Sequence, residues 1–135
     1  MRETQEIIDV RQRAVVMSAL LEMMRALALG YHGTPYFGRN ADAVILRAAV
    51  FIGQAEGRRM NVSKLAEYCG IPRATAIRKL SAMAKQGILH KGPDGVYCVP
   101  IALANSPDVL QMSRQMRAII ARAHEQLSKM NGLLS

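Results

Sequence analysis

A chain of 135 residues holds one hydrophobic core and is short for two, so a single domain over 1–135 with appended helices is the expected organisation. Half of the residues are apolar, which excludes disorder as the default state. The net charge of +8, with thirteen Arg among the eighteen cations, points to a polyanionic partner, because the planar guanidinium suits phosphates and guanine edges.

At the N-terminus, "MRETQEIIDVRQR" lacks the apolar core of a signal peptide, and no apolar run is expected to approach the roughly 18 residues of a membrane span, so no membrane association is expected. From Thr4 to about Leu29 there is neither Pro nor Gly. Ile7, Val10, Ala14, Met17, Leu21, Met24 and Ala28 recur three and four apart, the heptad spacing of a helix that packs on a partner. Leu20 and Leu27 widen this stripe, so the helix over 4–29 should also pack on its own domain.

"YHGTPYFGR" at 31–39 reads as a structured connection. Asn40 then caps a helix from Ala41 to about Glu56, with Val44, Ile45, Ala48, Phe51 and Ile52 on its apolar face and Gly57 at its end. "RRM" at 58–60 is compatible with a small strand. Asn61 is a good N-cap for a helix through Tyr68 that stops at Gly70, and Pro72 opens a further helix that Gly87 closes. In "ILHKGPDGVYCVP", two β-favouring runs flank Gly92-Pro93-Asp94-Gly95, which is hairpin chemistry.

Cys69 and Cys98 form no Cys-x-x-Cys pair and have no His at metal-ligand spacing, so they read as small apolar residues in a reducing cytoplasm. After Pro100, Ser106 or Asp108 caps a last helix over 106–131. Its Val109, Met112, Met116, Ile119, Ala123 and Met130 keep heptad spacing, with Gln126 as the polar interruption. The fold class is therefore mainly α with a small β-hairpin. A helix, a short turn, a second helix and a wing lie between long terminal helices, with the core over 40–100.

The stretch "VSKLAEYCGIPRATAIRKLSAMAKQGILHKGPDGVYCVP" resembles the winged helix-turn-helix of bacterial transcription regulators. Leu65, Ala66, Gly70, Ile71, Pro72, Thr75, Arg78, Gly87 and Tyr97 follow the pattern of the IclR type in register through turn, helix and wing. The remaining length has no room for the large effector domain that follows in that family. The flanking helices instead resemble those of the small MarR family, where terminal helices of two chains build a dimer body. The resemblance implies a DNA-binding regulator.

The same residues carry a physical argument. At about 100° per residue, Ala76, Ile77, Leu80, Met83 and Ala84 share the expected core side of the second helix, and Thr75, Arg78, Lys79 and Ala82 the outward one. Arg78 is placed to read guanine, and Thr75 to touch phosphate or a thymine methyl. Pro72, Arg73 and Ala74 form the end of the helix nearest the DNA, while Lys64 and Lys91 sit where phosphate clamps belong. Between Gly57 and Pro100, Arg58, Arg59, Lys64, Arg73, Arg78, Lys79, Lys85 and Lys91 face only Glu67 and Asp94. Most of the net charge thus lies on this segment, as a DNA-facing surface requires.

The expected partner is double-stranded DNA, bound in a sequence-specific manner by a homodimer. Its interface comprises Ile7, Val10, Met17, Leu21 and Met24 of the first helix with Met112, Met116, Ile119 and Ala123 of the last. Repression by occlusion is the expected mechanism, since no activation domain is evident. The nine methionines leave room for a small-molecule effector between the helices. His32, His90 and His124 fall in different elements, with no phosphate loop and no metal-spaced set, so neither enzyme, cofactor nor metal is expected. Two alternatives use the same residues: a protein-interaction or assembly module, and a phage or plasmid replication factor.

Overall fold

A computed structural model describes residues 2–132; the outermost residues of the expected 1–135 unit lie outside it. In chain order it contains α1 (Arg2–His32), α2 (Phe37–Ala55), α3 (Val62–Cys69), α4 (Arg73–Lys85), β1 (His90–Lys91), β2 (Tyr97–Cys98), α5 (Ile101–Ala104) and α6 (Pro107–Gly132). The architecture is mainly helical with one two-stranded antiparallel hairpin, as the sequence predicts.

The core is built by α2, α3, α4 and the hairpin. Leu46, Leu65, Ala76 and Leu80 are wholly buried there, with Met83, Leu89, Tyr97 and Val99 packed around them. Each buried leucine contributes roughly 1.5–3 kcal/mol relative to an exposed one. Gln54 ties the wing to this core with both ends of its amide: Nε2 donates to the Val99 carbonyl at 3.1 Å, and Oε1 accepts the Val99 N–H at 2.7 Å.

Several boundaries differ from expectation for local reasons. Helix α2 begins one turn before Asn40, whose side-chain amide donates to the Tyr36 carbonyl at 3.1 Å instead of capping a helix start. Residues 58–60 form no strand, because the chain doubles back and the Arg58 N–H bonds the Gly53 carbonyl at 2.7 Å. A Cβ on Gly53 would lie 2.7 Å from the Arg58 carbonyl oxygen, so glycine alone permits this approach. Ser106 does cap α6, its hydroxyl accepting the Val109 N–H at 3.4 Å, and α5 is a short helix that the sequence reading misses.

α1 and α6 run antiparallel. Gln12 Nε2 donates to Asn131 Oδ1 at 2.7 Å, Arg122 pairs with Glu22 at 2.5 Å, and Gly30 abuts Met112. The stripe of α1 turned to α6 is Ile8, Gln12, Val15, Ala19, Met23, Ala26 and Gly30, all buried or half-buried. It has heptad spacing and three small residues, which let the two backbones approach.

The stripe the sequence singles out lies on another face: Ile7, Val10, Met17 and Leu21 are exposed, and Met24 is half-buried. On α6, Met112 is buried and Met116, Ile119 and Ala123 are half-buried.

One expectation about this helix needs correction. α1 is long and apolar enough, by length and composition, to cross a membrane, and little of that stretch is buried. Glu22 and Arg25 punctuate the stretch, so its apolar character is not visible as one run. Glu22 is the residue paired with Arg122 of α6.

Candidate nucleic-acid interface

α3 and α4 are set by capping chemistry. The Asn61 side chain accepts the Lys64 N–H at 3.0 Å, fixing the start of α3. Gly70 ends it with φ at +67°, and the Ile71 N–H returns to the Ala66 carbonyl at 3.0 Å. This paired closure requires a left-handed residue, which glycine adopts without steric cost. Pro72 then opens α4, where its missing N–H costs nothing.

The outward face of α4 is Ala74, Ile77, Arg78, Ser81, Ala82 and Lys85, opposite the buried Ala76, Leu80 and Met83. This face is rotated by about 80° from the expected one. Arg78 and Ala82 lie on it as expected. Thr75 and Lys79 instead sit half-buried on its flank, and Ile77, assigned to the core from sequence, is 39% exposed. The physical reason is size. Wholly buried Ala76 occupies the close approach of α4 to the core, where a branched side chain would hold the helices apart.

Lys79 faces the end of α1. Burial, and then the charges of Arg47 and Lys79, hold the His32 imidazole below its ordinary value. Arg47 itself is buried at this junction, stacked 4.1 Å from the Tyr31 ring centroid and donating to the Tyr31 carbonyl at 3.2 Å. Burial lowers the pKa of Arg47, and the burial of Tyr31 itself raises that of its phenol against the opposing pull of the Arg47 charge. No sequence signal identifies Arg47 as an interior cation, because its partners are a backbone carbonyl and a ring contributed by another helix.

The remaining candidate residues flank the outward face. Arg73 is exposed, and its Nε donates to Ser63 Oγ at 3.2 Å, which fixes the guanidinium beside the first turn of α3, where Lys64 is also exposed. Pro72 and Ala74 are exposed at the start of α4. On the wing, Lys91 pairs with Tyr97 across the hairpin and places its ammonium 5.8 Å from the centroid of that ring. The wing turn closes through Gly92 N–H to the Val96 carbonyl at 2.9 Å and Val96 N–H to Asp94 Oδ1 at 3.1 Å. The acid at the tip thus has a local hydrogen-bonding role in the turn.

This arrangement presents an exposed guanidinium on the outward face of α4, with further exposed cations on α3, at the start of α4 and on the wing, groups suited to phosphates and base edges. Residues 54–93 match the family model of the IclR helix-turn-helix domain, a stretch that runs from the end of α2 into the wing turn. No curated protein and no solved structure matches the chain.

Proposed function

We propose, from the premise that this chain carries a winged helix-turn-helix of the IclR type and is thereby a DNA-binding transcription regulator, that it works as a cytoplasmic homodimer reading a short palindromic duplex site. Residues 1–135 act as one unit, and repression proceeds by occlusion of the site. No catalytic step is assigned to the chain. The observation that carries the reading is the outward face of α4, on which Arg78 is exposed, with Lys64 of α3 and Lys91 of the wing exposed as well. In this reading Arg78 reads guanine, Arg73 holds phosphate beside Ser63, and Pro72, Ala74 and Thr75 line the approach. Lys79 serves from the flank, as a long-range charge.

The dimer is supported by α1. Ile7, Val10, Met17 and Leu21 form an apolar heptad stripe left open although the same helix packs on α6 by another face. Of the other expected interface residues, Met112 is taken up by its packing on Gly30 within the chain, whereas Met24, Met116, Ile119 and Ala123 are half-buried. A lone helix-turn-helix holds DNA weakly, whereas a twofold pair offers recognition helices about 34 Å apart, one turn of duplex.

An apolar groove of about 410 Å³ between α1, α2, α5 and α6, walled by Leu27, Phe51, Met116 and Ile120, favours a second element of the reading: a small apolar effector acting on the helix pair.

Titration against duplex DNA over a salt series tests the main reading. The affinity is expected to fall steeply as salt rises. Absence of binding to any duplex at low salt would leave a protein-assembly module as the reading. Sedimentation at micromolar concentration is expected to report dimer for the native chain and monomer for Leu21→Glu. Monomer for both overturns the homodimer.

A further inference from the structure

The open face of α4 has two side chains of any reach at its middle. Ile77 and Arg78 lie on either side of its centre line, and their neighbours on the face, Ala74, Ser81 and Ala82, are short. An exposed isoleucine is ordinary on a protein surface. This one is placed differently: it is the single large apolar side chain of the stripe, 39% exposed, and stands beside the guanidinium that the reading above sends to a base edge. It belongs to no wider apolar patch on α4, since the side chains next to it on the face are Ala74, Arg78 and Ser81. A partner protein would meet a basic rim around one isoleucine. A major groove offers phosphates to the cations and, on its floor, one apolar group, the C5 methyl of a pyrimidine.

The geometry points to Ile77 as a specificity-determining residue that packs on a pyrimidine C5 methyl beside the guanine read by Arg78. The inference rests on α4 being the base-contacting helix. Ile77 and Arg78 are consecutive, so the methyl-bearing pyrimidine belongs next to that guanine or one step away. Two bases carry this methyl, thymine and 5-methylcytosine, and both present it at the same place in the groove. The short neighbours Ala74 and Ala82 let the helix approach closely enough for an apolar contact, which needs about 4 Å between heavy atoms. The hydroxyl of Ser81 and the ammonium of Lys85 lie further along the same face and leave the methyl contact to Ile77.

The test begins with selection of bound duplexes from a random pool by the full chain. At each pyrimidine beside the guanine position that Arg78→Ala relaxes, the methyl is then removed by replacing thymine with uracil. In a second series it is added by replacing cytosine with 5-methylcytosine. The native chain is expected to lose about fourfold in affinity at the first step and gain about fourfold at the second, the factor for taking one methyl group out of water. Ile77→Ser should bind its duplexes with no preference at either step, and Ile77→Val should keep the preference. Since Ile77 lies outside the core, both variants should retain the native helix content by circular dichroism.

A preference for thymine over uracil without one for 5-methylcytosine over cytosine would assign the site to thymine, and the reverse result to the methylated base. If a site is selected and Ile77→Ser shows the same methyl steps as the native chain, the inference falls and the DNA-reading role of α4 stands. If no guanine position responds to Arg78→Ala, the role of α4 falls and the inference with it.

Discussion

The core around α2, α3 and α4 and the long pair α1 and α6 obey the same packing physics but close to different degrees. In the core, Leu46, Leu65, Ala76 and Leu80 leave no surface open, and the polar Gln54 spends both ends of its amide on Val99. In α1, a helix of 31 residues, only Ile8, Ala19, Ala26 and Ala28 are buried, while Leu21 is 60% exposed. The region that presents Arg78 is complete within one chain, and the region beside it has a finished face and an open one. This difference separates the packing that fixes the place of α4 from a helix pair that keeps one apolar face open.

The sharpest way to break the comparison is to damage the complete region. Leu80→Ala removes a wholly buried side chain from the inner face of α4, so a loss of about 2–5 kcal/mol in unfolding free energy is expected from urea denaturation. A loss under 1 kcal/mol would mean that the core relaxes around the gap and is less rigid than its burial implies.

The closed face of the helix pair predicts a smaller effect. A Cβ on Gly30 would lie 2.6 Å from both Cβ and Sδ of Met112, so Gly30→Ala should cost about 1–3 kcal/mol by overpacking. Gly30→Ala combined with Met112→Gly should recover part of that loss, because all three Met112 side-chain atoms that the added methyl would meet are then gone. Additive losses in the double variant would show that the two residues do not define the approach of α1 to α6.

Much of this was legible because it is local. The Asn61 cap, the left-handed Gly70, Pro72 at the start of α4, the hairpin and the Ser106 cap each follow from a residue's own conformational chemistry. The rotation of α4 was not legible. Its helical wheel contains both Ala76 and Ile77, and only the distance of α4 from the core decides which one is inside. The heptads of α1 were partly legible: the pattern of larger apolar residues is present, but the stripe used against α6 is the one with Ala19, Ala26 and Gly30. Small residues matter there because they permit close approach, a quality that hydrophobicity does not register. For the candidate interface, the exposure of Arg78, Lys64 and Lys91 was legible from position, and that of Ile77 was not, because an apolar residue in a helix is assigned inward by default.

His32 stands where the two regions meet, at the end of α1 and within the fields of Arg47 from α2 and Lys79 from α4, and it predicts the smallest effect. Burial comes first and the two cations next in holding its folded-state pKa below the ordinary 6.5, and its Nε2 has no hydrogen-bond partner among the described residues. A group with a depressed basic pKa binds fewer protons folded than unfolded, so stability is complete at neutral pH and declines as the pH falls through about 6.5. His32→Gln keeps a polar side chain at the junction and removes the titration. Urea unfolding of the native chain should therefore lose stability between pH 7 and pH 5.5 by more than His32→Gln does, a comparison in which the remaining titrating groups are common to both. Equal slopes would mean that the imidazole reaches solvent on protonation and that the junction is open. A steeper native slope would place the positive charge of Arg47 and Lys79 against α1, coupling the finished core to the unfinished helix.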